Sequence, residues 1–367
     1  MATMKAAVLH GKGDLRIEEV PVPRPGAGEV LLRVHALGVC GTDATEYAHG
    51  PAMMPVKTAH PVTGHHGPMV IGHEFAGEVV EVGPDVDPAW TGRLLASCGS
   101  IFCRRCRHCR AGRTNLCERY AAVGLHRDGA AAEFVAAPLA SCEPADVLGL
   151  PPDAAALGQP MSIAVHAVRR GRVTNNDRVV LFGAGGIGTF IAYVLARIGA
   201  RVLVIDPDDA RHGLATQLGA HAVAVSDADL VPDDLLDGPP EVVFEASGSA
   251  AGLDAARSVL PDGGRLVVVG LQKRPVTLDL HRAAIREHEI IGTNAMVRTP
   301  DFPDALGLVA ARTQGWADVA PVALPLDEIA SGALIPMAAG ASPAVKVLID
   351  PAAVQRRATR TVPNQER

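Results

Sequence analysis

One unit in the middle of this 367-residue chain restricts its fold more than any other stretch. Residues 178–182 form a short apolar run, and Gly183-Ala184-Gly185-Gly186-Ile187-Gly188 follows directly. Residues 187–198 carry an apolar helical pattern closed by Gly199, and residues 201–206 make a second apolar run ending in Asp206. A strand, a glycine-rich turn and a helix in this order fit a dinucleotide. The first glycine permits the tight turn, the second lets the pyrophosphate approach the backbone, and the third lets helix and strand pack closely. The helix start adds N–H groups and partial positive charge. Asp206, about 20 residues on, stands where a carboxylate binds both hydroxyls of an adenosine ribose and repels a 2′-phosphate, which favours NAD over NADP. Arg211 argues the other way, although an arginine on a helix surface is its ordinary reading. A sheet that binds no nucleotide, or a different one, is the competing reading.

The alternation continues beyond this unit. A helical pattern over residues 162–170 precedes it; helical residues 210–218 end at Gly219, and 222–225, 241–245 and 264–270 read as strands. Short apolar strands alternating with helices predict an α/β domain, a doubly wound parallel sheet covered on both faces. We assign it residues 158–296.

Residues 1–157 read differently. Apolar and polar residues alternate through residues 4–39, with Pro21, Pro23, Pro25, Gly26 and Gly28 between the runs, and 78–83 is a further strand ending in a Gly-Pro turn. The pattern predicts a mostly antiparallel β domain with tight turns. Residues 321–326 and 345–349 are expected to be strands that return to this first domain, so that 297–367 belongs with it. The polar, arginine-rich tail from Ala352 is expected to be loosely ordered.

Within the first domain, Cys103, Cys106 and Cys109 stand three apart and Cys117 follows eight residues later. Three closely spaced thiolates wrap one side of an ion while a short loop returns the fourth. This is the pattern of a closed structural zinc site, here in a lobe of about residues 98–120. The alternatives are a redox pair at Cys103 and Cys106, which lacks the strand-to-helix setting of such pairs, and four free thiols in one loop. Seven cysteines in all, four of them in metal spacing, fit a reducing compartment rather than a disulfide framework. The N-terminal apolar run is too short for a signal peptide and no stretch is long enough to span a membrane, so the cytoplasm is expected. Aromatics make up only 3% of the chain and the net charge is -6, which argues against a nucleic-acid surface. The arginines among the cysteines read as a solvated counter-charge to the thiolates.

Two further patches combine metal-ligand residue types: Gly38-Val39-Cys40-Gly41-Thr42-Asp43 and Gly72-His73-Glu74-Phe75-Ala76-Gly77. Gln159-Pro160, near the domain junction, is a third. Together they could form an open zinc site with room for water or substrate. Singly each is ambiguous, since a lone cysteine is usually a small core residue and a lone histidine a satisfied surface group.

In order and spacing these motifs resemble the zinc-dependent medium-chain alcohol dehydrogenase family over essentially the whole chain. Gly50-Pro51, Pro61-Val62-Thr63-Gly64 and Pro68-Met69-Val70-Ile71-Gly72-His73-Glu74-Phe75 are similar to its 2,3-butanediol and sorbitol dehydrogenase branch. The resemblance implies a GroES-like catalytic domain and a Rossmann domain, two zinc ions per chain and NAD. Cys40 and His73 would ligate a catalytic zinc, with Glu74 a ligand or a neighbour that exchanges with water. Asp43 would hold His73 through a hydrogen bond that fixes its tautomer. Thr42 would sit by the substrate oxygen and relay its proton while the carbinol hydrogen leaves as hydride to the nicotinamide. Gln159 departs from the Glu or Cys of relatives, and we expect it to ligate through its carbonyl oxygen or to hydrogen-bond the zinc-bound water. Thr45 stands where many relatives end a proton relay with histidine. Arg211 and Gly270 join the glycine loop in the expected cofactor site. Lys346 is a candidate for a cofactor phosphate contact, with an exposed strand lysine as the alternative. The expected substrate is a secondary alcohol, vicinal diol or polyol; the rivals are a primary-alcohol or aldehyde dehydrogenase and a non-catalytic NAD(H)-binding protein. A homodimer or homotetramer is expected.

Overall fold

The computed structural model describes residues 2–224, 236–272 and 274–361. The chain divides into two compact units, Met1–Ser162 with Val297–Arg367, and Ile163–Met296. The return at 297 falls where the sequence pattern turns. The first break follows Ser162, inside the Gly158–Arg170 helix, which starts four residues before the pattern expected over 162–170.

In the first unit Thr3–Gly11 and Asp14–Pro21 form an antiparallel hairpin, with Met69–Val70 on its other side. The main sheet is mixed. Its order is Cys142–Pro144, Leu94–Ser97, Glu74–Val82, Glu29–Gly38, Leu348–Asp350, Val322–Pro325 and Arg357–Ala358, and Phe134–Pro138 also pairs with Glu29–Gly38. The alternation in Glu29–Gly38 buries Val30, Leu32 and Val34 against Phe75, Val79, Leu95 and Ile349 in one largely aliphatic core. Each such side chain contributes about 1.5–3 kcal/mol when fully buried.

Two registers place the functional side chains. Gly38 lies opposite Glu74, and Leu348 lies opposite Gly38. The ends of three strands far apart in sequence therefore meet just before Cys40. A Cβ on Gly38 would collide with the Glu74 carboxylate, so a side chain there would displace that group.

The tail corrects an expectation. Arg357–Ala358 is an edge strand, and the chain is held in place through Thr361 rather than loose. Arg357 and Arg360 both reach the fully buried Asp153 and the buried Asp350.

The second unit is a six-stranded parallel sheet ordered Ala222–Ala224, Arg201–Ile205, Arg178–Phe182, Val242–Glu245, Arg265–Val268 and Glu289–Gly292. The order reverses between Arg178–Phe182 and Val242–Glu245, the switch point at which such sheets bind dinucleotides. Its four inner strands are buried apart from terminal residues such as Arg178, Arg201 and Arg265, as expected for a sheet covered on both faces. The strand expected over 222–225 runs to Ala224; Val225 lies outside the described residues.

Candidate functional site

Cys40 ends the Glu29–Gly38 strand run and caps the Gly41–His49 helix. The sequence pattern gave no helix after this patch. The available signal was Asp43 three residues after Cys40, a capping-box spacing. The Cys40 backbone N–H donates to Asp43 Oδ2 at 2.9 Å. Asp43 Oδ1 faces His73 Nδ1 at 3.4 Å, a longer contact than the hydrogen bond expected. One carboxylate thus sets the start of the helix and faces one nitrogen of the imidazole.

The ligand-capable atoms of Cys40, His73 and Glu74 all lie within 4.8 Å of one another, with His73 and Glu74 buried. Asp43 Oδ1, His73 Nδ1 and Glu74 Oε1 are buried without a hydrogen-bond partner. Burial alone would push the His73 imidazole down, but Asp43 and Cys40 outweigh it and hold it well above the usual histidine range. Such a cluster demands a positive charge. A divalent cation among Cys40, His73 and Glu74 would supply that charge in place of the proton while His73 Nδ1 keeps facing Asp43, so the residues fit a metal ion.

Lys346 requires a correction. It is buried, and its Nζ donates to Glu74 Oε2 at 2.5 Å and to the Val39 carbonyl at 2.9 Å. It is not an exposed strand lysine, because its ammonium is committed to Glu74 and Val39 inside the first unit. Sequence spacing could not reveal this, because the contact depends on the Leu348–Gly38 register. Gln159 is buried near the start of the Gly158–Arg170 helix, and its backbone carbonyl accepts from Ser162 Oγ at 2.6 Å. Thr42 is half-buried, while Thr45 and His49 on the same helix are exposed.

The Sγ atoms of Cys103, Cys106, Cys109 and Cys117 also lie within 4.8 Å of one another. Backbone N–H groups aim at the sulfurs: Cys103 N at Cys117 Sγ (3.2 Å), Cys106 N at Cys103 Sγ (3.4 Å) and Arg119 N at Cys117 Sγ (3.3 Å). The Cys109 N–H holds the Cys106 thiol down to about 6. Burial and the hydrogen bonds of Cys106 and Cys117 push Cys109 up to about 12. Thiols driven in opposite directions in one cage fit a cation that lets all four ionise.

In the second unit the Gly186–Ile198 helix starts from the glycine turn. Gly183 has φ +96, and a Cβ on Gly188 would collide with the Gly183 carbonyl, in keeping with the turn and packing roles. A Cβ on Gly185 would meet only Arg211 Nη1, at 3.8 Å, so the backbone there is open to a ligand. That cradle fits a dinucleotide pyrophosphate. Gly186 and Ile187 begin the helix half-buried. Asp206 is buried; its Oδ2 accepts from Ala184 N at 2.7 Å and from Arg211 Nη1 at 3.2 Å, and its Oδ1 from Asp208 N at 2.9 Å. Arg211 is therefore tied to the acid it was set against. The Gly270 N–H donates to the Glu245 carbonyl at 2.9 Å.

A β unit with a metal-ready cluster and a cysteine cage, joined in one chain to a dinucleotide-binding sheet, defines a metal-dependent nicotinamide oxidoreductase. Residues 26–147 match the alcohol dehydrogenase GroES-like domain and residues 186–311 the zinc-binding dehydrogenase domain. The chain belongs to the zinc-dependent medium-chain alcohol dehydrogenase family and acts on CH–OH groups. It is 33% identical to the sorbitol dehydrogenase of Homo sapiens over 333 residues, 88% of this chain and 89% of that protein. It superposes on 2R,3R-butanediol dehydrogenase from Bacillus subtilis with a TM-score of 0.84, at 28% identity over 95% of this chain and 99% of that one. A zinc-binding dehydrogenase from Sinorhizobium meliloti bound to NADP gives a TM-score of 0.83, at 29% identity over 96% and 100%. Among the described residues no helix is long and apolar enough to cross a membrane.

Proposed function

We propose that this enzyme oxidises a secondary alcohol, vicinal diol or polyol with NAD, using one catalytic and one structural zinc per chain. The single observation that carries the reading is the buried Cys40–His73–Glu74 cluster with its orphaned lone pairs. The sorbitol and butanediol dehydrogenases it resembles support the substrate class.

Zinc, when bound, supplies Lewis acidity toward the alcohol oxygen, and the nicotinamide, when bound, accepts the hydride. The chain's residues do the rest. Cys40 and His73 would hold the metal, and Asp43, facing His73 Nδ1 at 3.4 Å, would orient the imidazole. Thr42, half-buried at the start of the helix, takes the alcohol proton and passes it outward. Lys346 neutralises Glu74 and fixes its position.

Gln159 is suited to this charge balance. Cys40, Asp43 and Glu74 carry negative charge when ionised, and Lys346 with a divalent ion offsets it. A glutamate at 159 would leave the site anionic; glutamine contributes a carbonyl oxygen and no charge. Asp206 supports NAD, because a 2′-phosphate would meet its carboxylate. The reducing compartment implied by the free cysteines supports a cytoplasmic enzyme. The sheet edge at Glu289–Gly292 exposes Ile290, with Leu280 and Ile285 exposed nearby in sequence, which supports a homo-oligomer paired at that edge.

The test combines metal analysis with turnover of a panel of butanediol stereoisomers, sorbitol, simple secondary alcohols and primary alcohols, each with NAD and NADP. Two zincs per chain and preferential oxidation of one diol or polyol with NAD are expected. One zinc per chain with no turnover of any alcohol overturns the reading in favour of a non-catalytic NAD(H)-binding protein.

A further inference from the structure

The second unit buries a carboxylate that the proposed mechanism does not use. Glu245 ends the Val242–Glu245 strand and is fully buried. Its Oε1 accepts from Ser247 N at 2.8 Å, Ser247 Oγ at 2.5 Å and Gly248 N at 2.9 Å, and its Oε2 from Gln272 Nε2 at 3.1 Å. Its backbone carbonyl accepts from Val269 N at 2.8 Å and Gly270 N at 2.9 Å. Every side-chain partner donates, so Glu245 sits as an acceptor-only carboxylate. The donors are neutral, and among the described residues no cation pairs with it. Turn dipoles alone hold the charge in place.

The position of that charge gives it consequence. Glu245 ends the strand on the far side of the switch point from Asp206. Asp206 marks the adenosine half, which leaves the Val242–Glu245 side for the nicotinamide half of a dinucleotide. The turn that Glu245 organises packs directly on the glycine loop, since a Cβ on Gly183 would lie 2.8 Å from Ser247 N. The oxidised nicotinamide ring is positively charged and the reduced ring is neutral. A buried negative charge on that side therefore acts differently on the two forms.

We propose that Glu245 is a specificity-determining residue for the oxidation state of the cofactor, its fixed charge favouring the oxidised dinucleotide over the reduced one. The proposal rests on the nicotinamide-cofactor reading. At the effective dielectric of about 20 typical of protein sites, a fixed charge on that side is expected to change the ratio of the two affinities by about fivefold or more. Burial keeps the effect largely insensitive to salt.

The test is direct titration of the full-length, zinc-loaded protein with NAD+ and NADH, by calorimetry and by NADH fluorescence. Glu245→Gln keeps the size of the side chain and removes its charge; it is expected to shift the Kd ratio toward NADH by about fivefold or more. Glu245→Asp disturbs the turn but keeps the charge, and is expected to weaken both forms alike. Gln272→Lys places an ammonium against Glu245 Oε2 without emptying the turn, and is expected to shift the ratio in the same direction as Glu245→Gln. An unchanged ratio in both Glu245→Gln and Gln272→Lys, whether or not the two forms bind more weakly, overturns the proposal. Failure of the unsubstituted protein to bind either dinucleotide instead overturns the cofactor reading itself.

Discussion

Lys346 Nζ lies 2.5 Å from Glu74 Oε2, and both side chains are almost wholly removed from solvent. Burial would lower the lysine, but Glu74 and Cys40 outweigh it and keep it above the usual lysine range. The ion pair is thus a permanent part of the metal-ready cluster. Lys346→Met leaves a buried carboxylate without its partner and is expected to cost about 3–5 kcal/mol in urea denaturation. A lysine serving only a cofactor phosphate would leave stability intact and raise the cofactor Kd, which is the contrary result.

His126 gives the protein an acid limit. Burial, with His60 and His73 nearby, holds its imidazole down to about 4, and its Nδ1 accepts the Ala122 N–H at 3.0 Å. The unfolded value is about 6.5, so between these values the unfolded chain binds the extra proton. This contribution to stability is complete above about pH 6.5 and is lost as pH falls toward 4. Because the ring is partly exposed, we expect about 2 kcal/mol after solvent screening. His126→Asn keeps an acceptor without the titration, and denaturation curves from pH 7 to 4 should show a correspondingly shallower loss. An identical slope would reject the assignment.

Asp206 holds the glycine turn through Ala184 N, and on the proposed NAD reading its carboxylate would also repel a 2′-phosphate. Asp206→Ala should therefore relax discrimination against NADP and also weaken NAD. Loss of a charged hydrogen bond costs about 1.5–3 kcal/mol, or about tenfold to a hundredfold in KM for NAD. Kinetics with both cofactors would show this; relaxed selectivity with an unchanged KM for NAD would mean that the turn stands without the carboxylate.

The C-terminal segment is part of the first unit's core scaffold. Arg357 reaches Asp153 Oδ2 at 2.6 Å, Asp153 Oδ1 at 2.9 Å and Asp350 Oδ2 at 2.7 Å. Truncation after Arg356 removes both arginines from two buried carboxylates and should lower stability by about 3 kcal/mol or more. Thermal unfolding would detect it. A truncated protein as stable as the full chain would restore the view of a loose tail.

Residue types and spacing near one another in sequence were legible. The glycine turn, the helix it starts and the four-cysteine lobe are local devices, in which the partners lie within a few residues and the backbone geometry follows from the motif. Cys40, His73 and Glu74 could be named as candidates, although separately each had an ordinary alternative. The Gly41–His49 helix was missed because a short polar segment after a strand carries little periodicity. The role of Glu245 was invisible, since an acid ending an apolar strand reads as the strand's polar boundary.

By itself, then, the sequence determined the two-part plan, the parallel nucleotide-binding sheet and the chemistry available to its loops, because hydrophobic periodicity and turn residues act over short stretches. Only the tertiary structure decided the partners of the buried charges: Lys346 with Glu74, Arg357 and Arg360 with Asp153, and Glu245 with the donors of a turn. The lysine and arginine pairings join segments more than two hundred residues apart, and the Glu245 turn closes only where its strand ends in the sheet. A buried charge is tolerated only where the register brings its counter-charge or its donors within hydrogen-bond reach.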